Sequence, residues 1–402
     1  MKILMLVPYL PTITMSGGQT RWYNLIKYLS KEHEITLYSL LKDDSERKLI
    51  PELKKFCKSV KVFTRPQKPW TLRNVLLSVF SPFPLVVIRN LSLEERKEII
   101  RDLSENDYDL IHAETFYVMP HLGKTKVPTI QVEQTMWHDV YRHHVMQEVP
   151  FILRPFYLQD VMKVKFWEKY YWSRADKLFA VSEEDREEMK KLVPRKEVGV
   201  IPNGVDSKWY LLKPVNRLSP PRVMYGVTNF EWLQNAEATE ILINEVWPEI
   251  KKIYKEDVKI WIVGRRIPRW ITEISKRDSH IEITENIPDA RDAYRKASIM
   301  VAPIKGAGGT RLKILEAMAA GLPVVSTTVG VAGLNIKNGK EAIIADTPKD
   351  MAKEVVKLLK NKEKAEVIGK NGQSHVRKYF DWSSIVKLHD PVYKSLAAAK
   401  NK

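Results

Sequence analysis

Residues 2–7, Lys-Ile-Leu-Met-Leu-Val, form a nearly unbroken apolar run closed by Pro8. That is the pattern of a strand covered on both faces in a parallel sheet. A loop leads to Gly17 and Gly18, and Trp22, Leu25, Ile26 and Leu29 then recur at helical spacing, which predicts a helix over 19–29. Residues 33–40 predict the next strand. Strand, glycine loop, helix and strand make the opening of a nucleotide-binding α/β fold. The alternation continues with strands expected at 109–112, 129–132, 177–181 and 198–201, and again at 223–227, 258–263 and 298–303. Between the two series the period is lost. Pro214, Pro220 and Pro221 fall in a run without apolar repeat, so 206–222 reads as a linker. With 402 residues the chain exceeds one ordinary core. Two α/β domains are expected, 1–205 and 223–380.

Functional groups in parallel sheets gather at the carboxyl ends of strands. In the first domain this singles out His112 and Glu114, then Glu133 and Gln134, with His112 and Glu133 as catalytic candidates. Gly17 and Gly18 open a helix where backbone can approach a phosphate, with Arg21 close by. The loop lacks G-x-G-x-x-G, so no dinucleotide cofactor is expected.

The second domain centres on residues 306–326. Gly306, Gly308 and Gly309 free the backbone to approach a ligand, and Thr310 is placed to cap a helix. Leu312, Leu315 and Ala319 give that helix a buried stripe, Gly321 sits where it ends, and Pro323 prevents its continuation. Arg311 and Lys313 lie in its first turn, where each cation costs roughly 0.3–1 kcal/mol against the helix dipole. An anion bound there reverses that sign. The alternative is two solvated side chains, or a Lys313–Glu316 pair.

Charge and composition narrow the class. The net charge is +17, which favours polyanionic partners or reflects a lysine-rich surface. No nucleic-acid-binding motif occurs. Cys57 is the only cysteine, so neither a disulfide within the chain nor a cysteine metal cluster is expected. Asp107 and Asp109 precede a strand rather than end one, and no metal or cofactor is expected. No leader is expected from the short apolar start, nor any spanning segment. Residues 141–177 mix aromatic and basic side chains, read either as a segment lying on anionic lipid or as ordinary packing.

The run 316–325, Glu-Ala-Met-Ala-Ala-Gly-Leu-Pro-Val-Val, resembles the signature of family-4 retaining glycosyltransferases. Residues 200–206, Val-Ile-Pro-Asn-Gly-Val-Asp, resemble that family's interdomain segment, and 181–183 and the Gly17-Gly18 loop agree in position and order. The resemblance implies the GT-B architecture: two facing Rossmann-like domains with a cleft between them, and a C-terminal helical segment, 381–402, packing back on the first domain. It implies metal-independent transfer of a sugar from a nucleotide-sugar to an acceptor hydroxyl with retention. Arg311 and Lys313 would meet the diphosphate, Glu316 the ribose, and Ile287, in the segment 281–289, the base, while Gly17, Gly18, Gly308, Gly309 and Thr310 complete the donor site. Two departures stand out. Thr228 to Trp232 replace the Arg and Lys many relatives carry after the domain's first strand, and Gly308 occupies the place of a donor-contacting glutamate. Expected partners are the donor, a saccharide or lipid-linked acceptor and an anionic membrane surface, not nucleic acid. The expected location is the cytoplasm, at the inner face of the plasma membrane, in cell-surface polysaccharide or glycolipid synthesis. A nucleotide-sugar epimerase of the same fold, or an inactive membrane-associated nucleotide-sugar-binding protein, are the alternatives.

Overall fold

The computed structural model describes residues 1–13, 17–65, 71–306 and 312–400. The chain divides into two compact units, Met1–Pro202 with Ile385–Lys402, and Asn203–Ser384.

The first unit is built on seven parallel strands: β1 (Lys2–Val7), β2 (Glu34–Leu41), β3 (Ser59–Thr64), β4 (Leu110–Glu114), β5 (Thr129–Glu133), β6 (Lys177–Ala180) and β7 (Val198–Val200). Their order is β3-β2-β1-β4-β5-β6-β7. Ile3 through Val7 are all buried, which is why β1 has no polar alternation. The second unit has β8 (Arg222–Asn229), β9 (Lys259–Arg265), β10 (Ile281–Glu285), β11 (Ile299–Ala302), β12 (Val324–Ser326) and β13 (Ile343–Ile344), in the order β10-β9-β8-β11-β12-β13. Each sheet grows outward from its first strand and then reverses, between β1 and β4 and between β8 and β11. Ligands of such folds bind at the carboxyl ends beside this reversal.

Six helices matter below: α1 (Gly17–Leu29), α2 (Leu72–Phe80), α3 (Trp137–Glu148), α4 (Arg154–Arg174), α5 (Leu312–Ala319) and α6 (Asp390–Lys400). Gly321 ends α5 at φ +70°. Its N–H donates to Met318 O and that of Leu322 to Ala317 O, both at 2.9 Å, which closes the orphaned carbonyls of the last turn.

The stretch 206–222, expected as a linker, belongs to the second unit. The Asp206 side chain caps a short helix, Ser207–Leu211. Arg217 Nη1 donates to Tyr294 O at 2.7 Å and Ala297 O at 2.6 Å, and its Nη2 to Gly321 O at 3.0 Å. A segment without apolar period is thus pinned by one guanidinium satisfying four carbonyls, the fourth being Arg295 O at 3.3 Å. The returning chain joins the first unit only from Ile385. Asp381 stays behind in the second unit, accepting from Ser207 N at 3.1 Å and Ser207 Oγ at 2.5 Å.

Candidate active site

In the second unit a side-chain cluster forms where β8 ends. The register of β8 against β9 slips between Met224 and Val227, and Gly226 sits in the slip at φ +108°. A β-carbon there would stand 3.2 Å from the Tyr294 hydroxyl and 3.4 Å from Lys313 Cβ. The bulge therefore lets α5 and Tyr294 close on the strand. Lys313 Nζ donates to Asn235 Oδ1 at 2.7 Å and lies 4.1 Å from the Tyr225 ring centroid. Thr228 Oγ1 is 3.4 Å away. Instead of extending into water, the Lys313 ammonium is folded over β8 at the sheet's reversal.

Glu316, one turn further along α5, accepts from the Tyr294 hydroxyl at 2.8 Å. Burial raises its carboxyl above the ordinary value, against the opposing pull of Tyr294 and the Lys313 charge. Ile287 follows Asn286, which has a left-handed φ of +57° and donates its N–H to Gly264 O at 2.8 Å. Ile287 is half-buried and packs on the unit's core. Gly308, Gly309, Thr310 and Arg311 lie outside the described residues. Asn235 and Tyr294 carry no periodic signal in the sequence, and Arg265 and Arg266 stand at the end of β9. The signal for those two arginines was present: Gly264 closes a strand and two cations follow at once. Arg266 pairs with Glu231.

In the first unit, Gly17 is exposed at the start of α1 and Gly18 half-buried beside it. Arg21 turns inward, away from any phosphate. Its Nε lies 3.4 Å from the Glu114 carboxylate with both side chains fully buried, and Nη1 reaches Pro202 O at 3.2 Å. Glu114 also accepts from Trp22 Nε1 at 3.1 Å and Gln134 Nε2 at 2.7 Å. Burial would raise its carboxyl, but Arg21 and His112 outweigh burial and hold it at about 2.

His112 does not meet solvent. Strand β4 runs to Glu114, two residues past the expected end, so His112 lies within the strand on the same face as Glu114. Its Nδ1 is 2.6 Å from the Tyr393 hydroxyl on α6 and its Nε2 is 3.1 Å from Glu114 Oε1. The ring positions Glu114 and offers no free face. Glu133 is likewise buried. It is the last residue of β5, and its Oε2 accepts from Trp172 Nε1 and Phe116 N, each at 3.0 Å. Burial, reinforced by the Glu168 carboxylate, pushes Glu133 well above the usual range.

A raised carboxyl binds more protons folded than unfolded, so it removes stability as pH climbs past the unfolded value. Glu133→Gln is therefore expected to hold Tm at or above wild type at pH 8, with activity within about threefold. A loss of about 10²-fold at unchanged Tm, the size of a missing general base, would return Glu133 to catalysis.

Among the described residues one trio of side chains has metal-ligand spacing, Glu32, His33 and Asp390, within 4.8 Å of one another. It precedes β2, at the opposite edge of the sheet from the strand ends. Asp109, of the discounted Asp107–Asp109 pair, accepts from Lys2 N at 2.6 Å and serves to join β1 to β4. No helix among the described residues is long and apolar enough to cross a membrane.

Both units match known protein families. The glycosyltransferase family 4 model matches residues 15–209 and the glycosyl transferases group 1 model matches 222–361. An uncharacterized glycosyltransferase of Methanocaldococcus jannaschii is 24% identical over 251 residues, covering 60% of this chain and 65% of that relative. Sucrose-phosphate synthase from Thermosynechococcus elongatus superposes with a TM-score of 0.69 at 18% identity, over 99% of both chains. Anabaena Alr3699/HepE in complex with UDP-glucose gives 0.64 at 16% identity, over 98% of this chain and 99% of that one. The two superpositions establish a shared fold of two Rossmann-like domains, the GT-B fold. With one family model seated on each α/β unit, the chain belongs to the family-4, group 1 glycosyltransferases.

Proposed function

We propose that this glycosyltransferase moves a sugar from a nucleotide-sugar to an acceptor hydroxyl with retention of anomeric configuration and without a metal ion. The observation that carries the reading is Lys313, held by Asn235 and Tyr225 in the first turn of α5 at the sheet reversal. A cation at a helix start is unfavourable alone and becomes favourable once a diphosphate binds. Arg311 serves the same diphosphate by its place in the sequence, and the amides of Gly308 and Gly309 stand in for the side chain that Gly308 lacks. Glu316 takes the ribose and Ile287 the base.

In this mechanism the bond from the anomeric carbon to the diphosphate oxygen breaks and negative charge grows on that oxygen. Lys313, Arg311 and the helix-end amides stabilise it. The same oxygen takes the acceptor's proton, and the acceptor oxygen bonds the anomeric carbon on the face the diphosphate leaves. No strong general base is needed, which accords with His112 and Glu133 being turned inward. The acceptor is a saccharide or lipid-linked saccharide of cell-surface polysaccharide or glycolipid synthesis, met at the inner face of the plasma membrane.

A thermal-shift screen over nucleotide-sugars tests the donor, since a ligand at 100 times its Kd stabilises by about 2.7 kcal/mol. UDP-glucose, the ligand named with the Anabaena structure, is the first probe. Release of nucleoside diphosphate only when an acceptor is supplied is the expected result. Interconversion of the sugar without release would establish an epimerase, and tight binding without turnover on any acceptor an inactive binder. Glu316→Ala is expected to weaken nucleotide binding roughly tenfold or more by calorimetry, on the scale of a lost charge-assisted hydrogen bond. Unchanged affinity would remove Glu316 from the ribose.

A further inference from the structure

Helix α2 is built inside out. A surface helix normally buries its apolar stripe and shows polar residues to water. In α2 the buried positions are Asn74 and Ser78, one turn apart, while Leu72, Leu76, Leu77 and Phe80 are exposed, Phe80 at 83%. The inward face is held by polar bonds. Ser78 Oγ donates to Asp160 Oδ1 of α4 at 2.8 Å, and Lys163 Nζ caps the end of α2 through Ser78 O at 2.6 Å and Ser81 O at 2.8 Å. Trp167 Nε1 donates to Pro82 O at 2.8 Å. These contacts fix the apolar face of α2 outward.

The neighbouring helix continues that surface. On α4, Phe156, Met162 and Phe166 are exposed, and Phe151 and Ile152 just before it are 80% and 81% exposed. Exposed apolar area on this scale marks an interaction site. Its charge names the partner. The only acids on α2 and α4 are Asp160 and Glu168, and both are buried. Asp160 is bonded to Ser78, and Glu168 to Trp137 N and His138. The exposed charges, among them Arg73, Lys165, Lys169 and Arg174, are all positive.

We propose that α2 and α4 dock the enzyme on an anionic lipid bilayer, with the apolar side chains of α2, Phe151 and Ile152 entering the headgroup boundary and Lys165 and Lys169 meeting lipid phosphates. The proposal extends the reading of a membrane-borne acceptor and rests on it only for purpose; the surface stands apart from Lys313 and Glu316.

Flotation of the full chain on vesicles tests it. Wild type is expected to float with phosphatidylcholine containing about a third phosphatidylglycerol, in the regime where anionic lipid attracts basic segments. It should stay down with phosphatidylcholine alone, and release as salt shortens the screening length. Lys165→Gln with Lys169→Gln is expected to weaken partitioning roughly 30-fold, at about a factor of five per lysine. Leu76→Ser with Phe80→Ser should weaken it at least tenfold, from lost apolar insertion. These side chains are exposed, so Tm and the nucleotide-sugar thermal shift should match wild type in both variants. No flotation on anionic vesicles, or equal flotation on neutral ones, overturns the proposal. So does a wild-type dimer that Phe80→Ser converts to monomer, which would give the face to a second copy. Flotation without any nucleotide-sugar shift would leave the docking surface intact and sink the proposed donor site at Lys313 and Glu316 instead.

Discussion

Lys313→Ala is expected to lower kcat/KM by about 10²-fold or more, the scale of losing one donor aimed at developing charge. The loss should fall mainly on kcat, because the diphosphate gains charge as the glycosidic bond breaks and an interaction that strengthens during the reaction is lost from the barrier. Geometry makes the effect specific to this ammonium. Asn235 Oδ1 at 2.7 Å and the Tyr225 face at 4.1 Å suit a compact charge on a flexible stem, whereas a guanidinium is planar and wider. Lys313→Arg is therefore expected to restore little. The stability change should be small, since a cation over an aromatic face contributes about 0.5–2 kcal/mol. Measuring Tm beside the kinetics separates the two effects. Wild-type kcat in Lys313→Ala would end the proposed mechanism. Arg311→Ala is expected to show a loss of the same order.

The fold was legible wherever burial leaves a local trace. The apolar run of β1 announced a strand covered on both faces, and Gly321 with Pro323 marked the end of α5 to the residue. The strand β3 went unread because Ser59 to Thr64 form a half-exposed edge whose Lys61 interrupts the pattern. The segment 206–222 looked like a linker because its order comes from Arg217 bonding carbonyls about 80 to 100 positions away, and such contacts leave no period. The site divides the same way. Lys313 and Glu316, still candidates, carry a local signal in the sequence, a cation in a first helical turn and helical spacing. Asn235 and Tyr294, which hold them, arrive from other elements. His112 was misread for a plain reason: two more residues of strand turned a strand-end histidine into an interior one. Helix α2 shows the limit of pattern reading. The sequence alone does not say which of its faces meets the core, and contacts from α4, Asp160 to Ser78 and Lys163 to Ser78 O, decide it.

The buried pair of Arg21 and Glu114 carries the second large expectation. Glu114→Gln keeps the shape and leaves the Arg21 charge buried without its carboxylate. Breaking a buried ion pair from one side costs about 3–5 kcal/mol, or roughly 6–20 °C in Tm for a unit of about 200 residues. Differential scanning calorimetry should show this as a shift of the first unit's transition. The pH dependence follows with a definite sign. The folded carboxyl is depressed from 4.5 to about 2, so the pair's stabilisation is complete above the unfolded value and disappears as pH falls from about 4.5 to about 2. Wild type should lose Tm steeply across that window and Glu114→Gln much less. The double variant Arg21→Met with Glu114→Gln removes both charges and is expected to be more stable than Glu114→Gln alone, because an apolar replacement of a buried pair is often neutral or better. If the single variant loses less than about 1 kcal/mol, the site is wet enough to solvate Arg21, and the rigid floor beneath α1 does not exist as described.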